Sequence, residues 1–325
     1  MNGYRLIIRE TGGPEVIARV SLGALVPGPG ELLIRHDAVG VNFIDTYHRS
    51  GLYPLPMPSG LGSEAAGVVE AVGEDVADFG EGDRVGYFSG PTDAYATHRL
   101  IAARHLVALP DAISAETAAA AMLKGCTAEY LIERCARVAP GETVLVHAAA
   151  GGVGSILVPW LKALGATVIA HAGSAAKAAL AQAAGADHAL SCPIEELAGA
   201  VRALTDGRGA EKILDGVGAA SWQASLGAIA RRGILVSFGN ASGPVPPFSA
   251  LDLARAGSIY VTRPTLADYI ATPQEMQASA DRLFDLIARR IVPVCIGARH
   301  RLEDAAQAHR ALEARATTGA TILIP

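Results

Sequence analysis

A glycine-rich turn in the middle of the chain carries the strongest chemical signal in this sequence. Residues 143–154 read TVLVHAAAGGVG, in which a short apolar run ends in a loop, and an apolar helical stretch follows. Such close glycines cost conformational entropy unless something must approach the backbone. In a strand–turn–helix context they let a pyrophosphate reach the amino terminus of the helix. We therefore predict a dinucleotide site in this loop, in which Ala149, Gly151 and Gly154 occupy the three positions of the usual glycine pattern.

The residues after this loop indicate which dinucleotide binds. NAD-binding folds usually place Asp or Glu about 20 residues further on, where it holds the ribose hydroxyls. Between Glu142 and Asp187 this sequence has no acidic residue. Ser174 and Lys177 follow the second strand instead, and a hydroxyl and an ammonium can both bind a 2′-phosphate. The sequence therefore predicts NADPH rather than NADH as the cofactor.

The elements that must position this loop have an α/β pattern. Strand-like apolar runs follow one another from Thr143, with Ala- and Leu-rich helical stretches between the first five of them. The six runs are TVLVHA, ATVIAH, DHALS, KILDGV, GILVSFG and SIYVTR. Strands that alternate with helices form parallel sheets covered by helices on both faces. We predict a Rossmann-type, doubly wound parallel sheet.

The flanking parts of the chain have different patterns. The first 110 residues are apolar runs broken by Gly, Pro and Asp, which is typical of a curved, mostly antiparallel sheet. The tail contains a capping-box sequence, TPQE at Thr272–Glu275, and ends in the apolar strand ATILIP. We expect this tail to return to the first domain. The predicted domains are residues 1–125 with 264–325, and residues 126–263.

Composition excludes several classes of function. The 325 residues include 27 Lys and Arg against 32 Asp and Glu, so the net charge of −5 offers no basic surface for nucleic acid. No apolar stretch reaches the roughly 18–20 residues of a transmembrane helix, and the first residues do not have the pattern of a signal peptide. The four cysteines have no spacing typical of disulfides or structural zinc. We predict a cytoplasmic protein that binds neither nucleic acid nor membrane.

The arrangement of the whole chain resembles the medium-chain dehydrogenase/reductase superfamily, in which a nucleotide-binding domain is inserted into a β-rich, GroES-like catalytic domain. Many alcohol dehydrogenases of this superfamily bind catalytic zinc through an early Cys and a GHE segment. This chain has Asn42 near the Cys position, in GVNFIDTY, and Ser63 at the His position, in GLGSEAAG. Because zinc requires several N, S or O donors in a fixed geometry, we predict no metal site.

Longer motifs narrow this resemblance to the zinc-free NADPH:quinone oxidoreductase family, which includes bacterial enzymes and the lens zeta-crystallins. The similar segments are NFIDTYHRSGLYP, MPSGLGSEAAG, HAAAGGVG, RRGILVSFGNASG, YVTRP and RATTGATILIP. The resemblance implies hydride transfer from NADPH to a quinone, without metal, in a cleft between two domains of a homodimer. It places Gly152 and Val153 at the pyrophosphate and Ser174 and Lys177 at the 2′-phosphate. It also implies cofactor contacts at Asn42, Thr127, Tyr130, Phe238, Asn240, Arg263 and Arg315.

One residue departs from the family pattern. The family often has a Tyr after the third strand of the nucleotide domain, near the adenosine phosphate, and the corresponding residue here is Cys192, in LSCP. Loss of the phenol is expected to weaken NADPH binding or to change the packing of the adenine. It introduces no acidic residue, so the prediction of NADPH is unchanged.

Reduction of a quinone needs little help from acids or bases. The acceptor is electrophilic, and holding it about 3–3.5 Å from the hydride donor makes the reaction effectively unimolecular. Tyr47 and Tyr53 belong to the segment that the resemblance places along the cleft. They are candidates for lining the quinone site or donating a hydrogen bond to a developing oxyanion. The alternative is that both rings are packing residues with hydroxyls at the surface.

The remaining polar residues are interpreted as structural. We expect Asp45 to accept structural hydrogen bonds and Glu64 to make a buried pair or a bond to the backbone. His48 and His147 have no evident Ser, Cys or carboxylate partner in the sequence.

Two other functions are compatible with the same residues. An NADPH-dependent enone or enoyl reductase would protonate carbon, so a positioned acid such as Tyr47 would be essential. A non-enzymatic NADPH-binding protein would bind the cofactor tightly with negligible turnover.

Overall fold

A computed structural model describes residues 3–314 and 316–325, which divide into two units. Unit 1 contains the chain up to Gly125 together with Ile270–Ala288 and Val294–Pro325, and unit 2 contains Cys126–Tyr269 and Arg289–Pro293. Arg315, one of the predicted cofactor residues, lies outside the described residues. None of the helices described is both long enough and apolar enough to span a bilayer.

The strands are β1 Tyr4–Ile8, β2 Ala18–Ser21, β3 Glu31–Val41, β4 Ser59–Gly60, β5 Ala65–Val72, β6 Arg84–Tyr87, β7 His98–Ala102, β8 Val107–Ala108, β9 Thr143–Val146, β10 Thr167–His171, β11 His188–Leu190, β12 Ala210–Asp215, β13 Ile229–Ser237, β14 Tyr260–Thr262, β15 Ile296–Arg301 and β16 Ala320–Ile324. The helices are α1 Phe43–Ser50, α2 Ala115–Glu129, α3 Gly154–Ala163, α4 Ala175–Ala183, α5 Leu197–Leu204, α6 Trp222–Ala228, α7 Ala250–Arg255, α8 Leu266–Tyr269, α9 Pro273–Ala288 and α10 Ala305–Glu313. A π-helical segment, Tyr130–Cys135, follows α2.

Unit 1 is rich in antiparallel sheet, as the turn-rich amino-terminal sequence predicts. A three-stranded sheet has the order β2-β1-β4, and a larger one the order β15-β16-β3-β5-β6-β8, with β7 also paired to β3. The tail strand β16 pairs antiparallel with β3, which places Ile322 opposite Gly40. The core between these strands is aliphatic and aromatic, with Ile34 and Tyr87 almost fully buried. This pairing holds the amino-terminal strands and the carboxyl-terminal tail in one sheet.

The capping box predicted in the tail is present at the start of α9. The Thr272 N–H donates to the Glu275 carboxylate, and the Glu275 N–H donates to the Thr272 hydroxyl. These two bonds satisfy backbone donors that would otherwise be unpaired at a helix start, so α9 begins where the sequence indicates.

Unit 2 contains the six strands predicted from residue 143 onwards. They form one parallel sheet in the order β11-β10-β9-β12-β13-β14, with helices between successive strands. The strand order reverses between β9 and β12, which is the switch point at which doubly wound sheets bind their ligands. The prediction of a Rossmann-type sheet is confirmed, and with the β-rich unit it gives a mixed α/β fold.

Candidate functional site

The glycine loop occupies the turn between β9 and α3, at the carboxyl edge of the parallel sheet. The Gly151 N–H donates to the Ala148 carbonyl at 2.8 Å, and the Ser155 N–H donates to the Gly151 carbonyl at 2.8 Å. Among the residues described, the N–H groups of Gly152, Val153 and Gly154 have no hydrogen-bond acceptor. Three consecutive donors at the start of a helix form an anion site, so the loop fits a pyrophosphate.

Gly154 has a steric role in this loop. A Cβ atom at this position would lie 2.4 Å from the Ala148 carbonyl oxygen and 2.7 Å from Ala149 backbone atoms. The helix therefore packs against the preceding strand only because residue 154 has no side chain, as the third glycine of the dinucleotide pattern requires.

The end of β10 and the start of α4 hold the residues predicted for the 2′-phosphate. Ser174 is the N-cap of α4, and its hydroxyl accepts the Lys177 N–H at 3.3 Å. Ser174 is exposed and Lys177 is half-buried. The nearest acidic residue that follows, Asp187, binds the Lys162 ammonium at 2.7 and 2.9 Å. Its carboxylate is therefore paired with Lys162, and the two predicted residues follow β10 without an acidic neighbour in the sequence.

Three further predicted residues follow the ends of β13 and β14, at the same edge of the sheet. The Phe238 N–H donates to the Asp215 carbonyl at 2.8 Å, and the Phe238 ring packs over Gly216, where a Cβ would come within 2.9 Å of it. The Asn240 carbonyl accepts the Gly243 N–H at 3.0 Å. Arg263 is exposed and donates to the Pro264 carbonyl at 3.1 Å. Parallel topology therefore gathers these residues and the glycine loop at one edge.

Thr127 and Tyr130 lie at the amino-terminal end of unit 2. Thr127 is half-buried on the last turn of α2. Tyr130 begins the π-helical segment, is 2% exposed, and stacks on Tyr269 with ring centroids 4.6 Å apart and planes 19° apart. Burial raises the pKa of the Tyr130 hydroxyl, which keeps the phenol protonated. π-Helical insertions often occur at functional sites.

In unit 1, Asn42 is held by two buried carboxylates. Its backbone N–H donates to Asp45 Oδ2 at 2.8 Å, and its side-chain amide donates to Glu64 Oε2 at 2.8 Å. Glu64 also accepts the Leu123 N–H at 2.7 Å and lies 3.5 Å from the Lys124 ammonium. Burial raises the pKa of Glu64, and the Lys124 charge opposes this. The predictions of a buried pair and a backbone bond for Glu64 are both confirmed.

Asp45 belongs to a second buried chain of hydrogen bonds. The Tyr95 hydroxyl donates to Asp45 Oδ2 at 3.2 Å and lies 2.9 Å from His309 Nε2, while the Arg49 guanidinium donates to His309 Nδ1 at 3.2 Å. Because Arg49 is only a donor, His309 carries its proton on Nε2 and donates it in a hydrogen bond to the Tyr95 hydroxyl oxygen. Arg49 also pairs with Glu313 at the end of α10. Asp45 is a structural acceptor, as predicted.

Burial has the largest effect on the pKa values of Asp45 and His309 in this series of hydrogen bonds. It raises the pKa of Asp45 to about 7, against the hydrogen bonds from Asn42 and Tyr95. It lowers the pKa of His309 to about 3, and the Arg49 charge acts in the same direction. His309 is therefore neutral at neutral pH, which agrees with its two hydrogen bonds.

The two candidate quinone residues are part of an aromatic cluster on and after α1. The rings of Tyr47 and Tyr53 meet edge to face, with centroids 5.2 Å apart. The Phe43 ring centroid lies 6.1 Å from that of Tyr47, and the His48 ring centroid lies 6.3 Å from that of Tyr53. The Tyr53 N–H donates to the Tyr47 carbonyl at 3.2 Å, which fixes the spacing of the two residues. Both tyrosines are half-buried. The cluster offers partly accessible aromatic faces against which a flat ring can stack.

The expectation that His147 has no serine or carboxylate partner is wrong. Its Nε2 lies 2.9 Å from Ser225 Oγ, and the Ser225 hydroxyl donates to Asp215 Oδ2 at 2.9 Å. Asp215 also accepts both the Ser221 hydroxyl and the Val217 N–H. The sequence conceals this arrangement because β9 and β12 are neighbours only in the folded sheet. All three members are buried, and burial lowers the pKa of His147, so its imidazole is neutral and the cluster is structural.

The metal prediction concerns Asn42 and Ser63, which replace two zinc ligands in the superfamily. The Asn42 amide nitrogen donates a hydrogen bond to Glu64, and Ser63 is buried, with 8% of its surface exposed. Within residues 3–314 and 316–325, no group of three or more His, Cys, Asp or Glu is arranged to hold a metal ion.

Sequence reasoning missed the partners that orient the predicted residues. Lys124, Tyr95 and His309 are far from Asn42 and Asp45 along the chain, and none belongs to a recognisable motif. Their only signal is that they are polar residues within apolar surroundings, which indicates a buried partner without identifying it.

Comparison with known proteins first defines the class. The alcohol dehydrogenase GroES-like domain matches residues 28–140, and the zinc-binding dehydrogenase domain matches residues 152–285. This pair of domains is the fold of the medium-chain dehydrogenases/reductases, in agreement with the β-rich sheets of unit 1 and the parallel sheet of unit 2.

Full-length relatives then define the family. The chain is 50% identical over 322 residues to a quinone oxidoreductase of Pseudomonas aeruginosa, with 99% of each chain covered. It is 43% identical to Escherichia coli quinone oxidoreductase complexed with NADPH, with a TM-score of 0.95 and 99% and 100% of the two chains covered. A 2-haloacrylate reductase of Burkholderia sp is 38% identical over 98% of each chain. The chain belongs to the zeta-crystallin-like quinone oxidoreductase family.

Proposed function

We propose that this protein is an NADPH:quinone oxidoreductase that works without a metal. The observation that carries the proposal is the glycine loop, with three unpartnered N–H groups at the start of α3. The family supports the reaction, because full-length relatives are quinone oxidoreductases and one of their structures contains NADPH. We infer a catalytic domain of residues 1–125 and 264–325 and a nucleotide domain of residues 126–263. Units 1 and 2 support this division, although residues 264–269 and 289–293 belong to unit 2.

The residues on the sheet edge fit the cofactor. The N–H groups of Gly152 and Val153 bind the pyrophosphate, and Ser174 and Lys177 bind the 2′-phosphate. The remaining cofactor residues contact the nicotinamide end or the rest of the cofactor: Asn42, Thr127, Tyr130, Phe238, Asn240, Arg263 and Arg315. The free N–H groups support this assignment for the loop, and the lack of an acidic residue between Glu142 and Asp187 supports the 2′-phosphate.

The protein's part in the reaction is alignment. Bound NADPH supplies the hydride. Tyr47 and Tyr53 stack against the quinone and donate hydrogen bonds to the oxygen on which negative charge develops. The quinone gains the hydride together with one proton from solvent, so no side chain has to act as a general acid. Asn42 is held rigidly by Asp45 and Glu64, which keeps its position fixed during turnover.

The experiment is NADPH oxidation by chelator-treated protein with 1,4-benzoquinone, repeated with NADH. We expect rapid turnover with strong preference for NADPH. Lys177→Ala should reduce that preference about tenfold, the effect of one charge-assisted phosphate contact. Lys162→Ala is the matched control, because the Lys162 ammonium is already occupied by Asp187. No turnover with NADPH still bound would refute quinone reduction.

Reduction of an activated C=C bond is the second candidate, and the 38% identical 2-haloacrylate reductase favours it. This reaction protonates carbon, so it needs a positioned acid, for which Tyr47 is the candidate. Tyr47→Phe should then abolish enone turnover, while quinone reduction should fall only several-fold. Turnover of enones but not quinones by the unmodified protein would select this function.

We also propose a cytoplasmic homodimer. β14 is the edge strand of the parallel sheet, and its Tyr260 side chain is 66% exposed. An exposed edge strand is a template for pairing with a second copy. The cytoplasmic assignment is supported by four free cysteines, which suit a reducing compartment. Light scattering of the purified protein, compared with Tyr260→Asp, tests the dimer, and a monomeric unmodified protein would refute it.

A further inference from the structure

His171 is a titratable residue at the edge of the glycine loop that the proposed function does not yet use. It is the last residue of β10, where nucleotide-binding folds place the residue that recognises the adenosine ribose. Its carbonyl oxygen accepts the Ala149 N–H at 3.0 Å, so the end of β10 is bonded directly to the loop. The side chain is half-buried. His171 is therefore partly accessible at the edge of the sheet that carries the glycine loop.

The hydrogen bonds of the imidazole determine which nitrogen is available. Nε2 lies 3.1 Å from the Cys192 carbonyl oxygen, which is only an acceptor, so Nε2 carries a proton. The ring also meets His147 edge to face, with centroids 5.8 Å apart and planes 80° apart. In the neutral ring Nδ1 is then an acceptor, and it becomes a donor only when the imidazole is protonated. An anion at Nδ1 therefore favours the imidazolium.

The groups packed around His171 leave it without a carboxylate partner in the hydrogen bonds and ion pairs described. Directly after β9 the neighbour is His147, which burial keeps neutral by lowering its pKa. Beyond β11 it is the Cys192 thiol, whose pKa burial raises and on which the Glu196 charge acts. Lys177 lies on the first turn of α4. An anionic ligand beside His171 would thus meet two neutral groups and, on α4, the cationic Lys177 side chain.

We propose that His171 determines specificity for NADPH by binding its 2′-phosphate through Nδ1. This inference rests on the proposed NADPH site. On binding, Nδ1 takes up one proton from the buffer and donates it in a hydrogen bond to a phosphate oxygen, while the Nε2 proton stays on the Cys192 carbonyl. Ser174 and Lys177 supply the other contacts. His171 thus takes the place that an acidic residue has in NAD-binding folds, with the opposite preference for charge.

Two measurable signatures follow from this arrangement. Loss of the imidazole should weaken ligands that carry a 2′-phosphate and leave those without one unchanged, whereas a structural role would weaken both. Binding of the 2′-phosphate should also take up protons from the buffer. The ligand does not supply this effect at pH 8, because phosphate monoesters with a second pKa of about 6 are already dianionic there.

The test is calorimetric titration at pH 8 of adenosine 2′,5′-bisphosphate and of 5′-AMP, which differ only in the 2′-phosphate. Each titration is repeated in two buffers of different ionisation enthalpy, so that proton uptake is measured directly. The variants are His171→Asn, and His188→Asn as the matched control. His188 is also half-buried, but it starts β11 opposite Ile169, away from the carboxyl edge. Urea unfolding of each variant establishes that it is folded.

We expect His171→Asn to bind the bisphosphate at least about tenfold more weakly, the effect of losing one charge-assisted hydrogen bond. Its affinity for 5′-AMP should stay within about twofold, and its proton uptake should disappear. His188→Asn should match the unmodified protein. An unchanged ratio of the two affinities in His171→Asn, whether or not both fall, would overturn the inference while leaving the NADPH site intact. Failure of the unmodified protein to prefer the bisphosphate would overturn the proposed cofactor as well.

Discussion

Replacement of Gly154 by Ala tests the packing on which the nucleotide site depends. The added Cβ would lie 2.4 Å from the Ala148 carbonyl oxygen, well inside the 3.0 Å below which such contacts essentially do not occur. It would also lie 2.7 Å from the Cα and carbonyl carbon of Ala149. These neighbours are backbone atoms, so no side-chain rotation can relieve the overlap. The loop or the start of α3 must move.

The magnitude follows from two effects. Overpacking a closely packed site costs about 1–3 kcal/mol, and the backbone contacts place Gly154→Ala in the upper part of that range. Movement of the loop also displaces the N–H groups of Gly152 and Val153 from the phosphate. Loss of one hydrogen bond to a charged group costs about 1.5–3 kcal/mol, which corresponds to at least about tenfold weaker NADPH binding.

The assays are urea unfolding followed by circular dichroism and NADPH titration followed by fluorescence. Gly199→Ala is the matched control, since Gly199 is also in a helix of unit 2, but no atom lies within 4 Å of its added Cβ. Alanine in a helix interior stabilises by about 0.5–1 kcal/mol relative to glycine, so this variant should be slightly more stable and bind NADPH normally. If Gly154→Ala behaves like Gly199→Ala in both assays, the steric account of the loop is wrong.

Three further predictions concern buried titratable groups. Burial lowers the pKa of His36 to about 3. As the pH falls below the pKa of histidine in the unfolded chain, the unfolded state binds a proton that the folded state does not, so the folded state loses stability. Between pH 7 and 4.5 the unmodified protein should lose about 2.5 kcal/mol more unfolding free energy than His36→Gln. The same pH dependence of the urea unfolding midpoint in both proteins would contradict this. Burial raises the pKa of Asp45 to about 7, so its contribution is present in acid and lost as the pH rises. Between pH 5 and 8, the free energy of unfolding of Asp45→Asn should rise by about 2–3 kcal/mol relative to that of the unmodified protein. If urea unfolding gives the same difference between the two proteins at both pH values, this prediction is wrong. Glu64→Gln should destabilise by about 3–5 kcal/mol because it leaves the Lys124 ammonium buried and unpaired. In the same urea assay, Glu64→Gln with Lys124→Met should recover much of this loss, and equal instability of both variants would refute the ion-pair account.

Local sequence determined the elements of unit 2 and the position of the glycine loop. Six apolar runs with helical stretches between them specify a parallel sheet, because a helical crossover brings the chain back to the starting edge and the next strand runs in the same direction. The glycines follow the first strand, and the capping box starts α9, since both features depend only on residues within a few positions of one another. The long motifs shared with the quinone oxidoreductases also identified the family.

Tertiary structure alone decided how the polar residues are held. His147 meets Ser225 and Asp215 because β9 and β12 become neighbours in the sheet, across an intervening stretch of strands and helices. His171 binds the Cys192 carbonyl for a similar reason, through the pairing of β10 with β11. Such contacts depend on strand order, which hydrophobic periodicity does not specify. The sequence by itself therefore determined the fold class, the family and the loop. The protonation and hydrogen-bond partners of the buried groups were decided by tertiary structure, because burial and neighbours from distant segments set both.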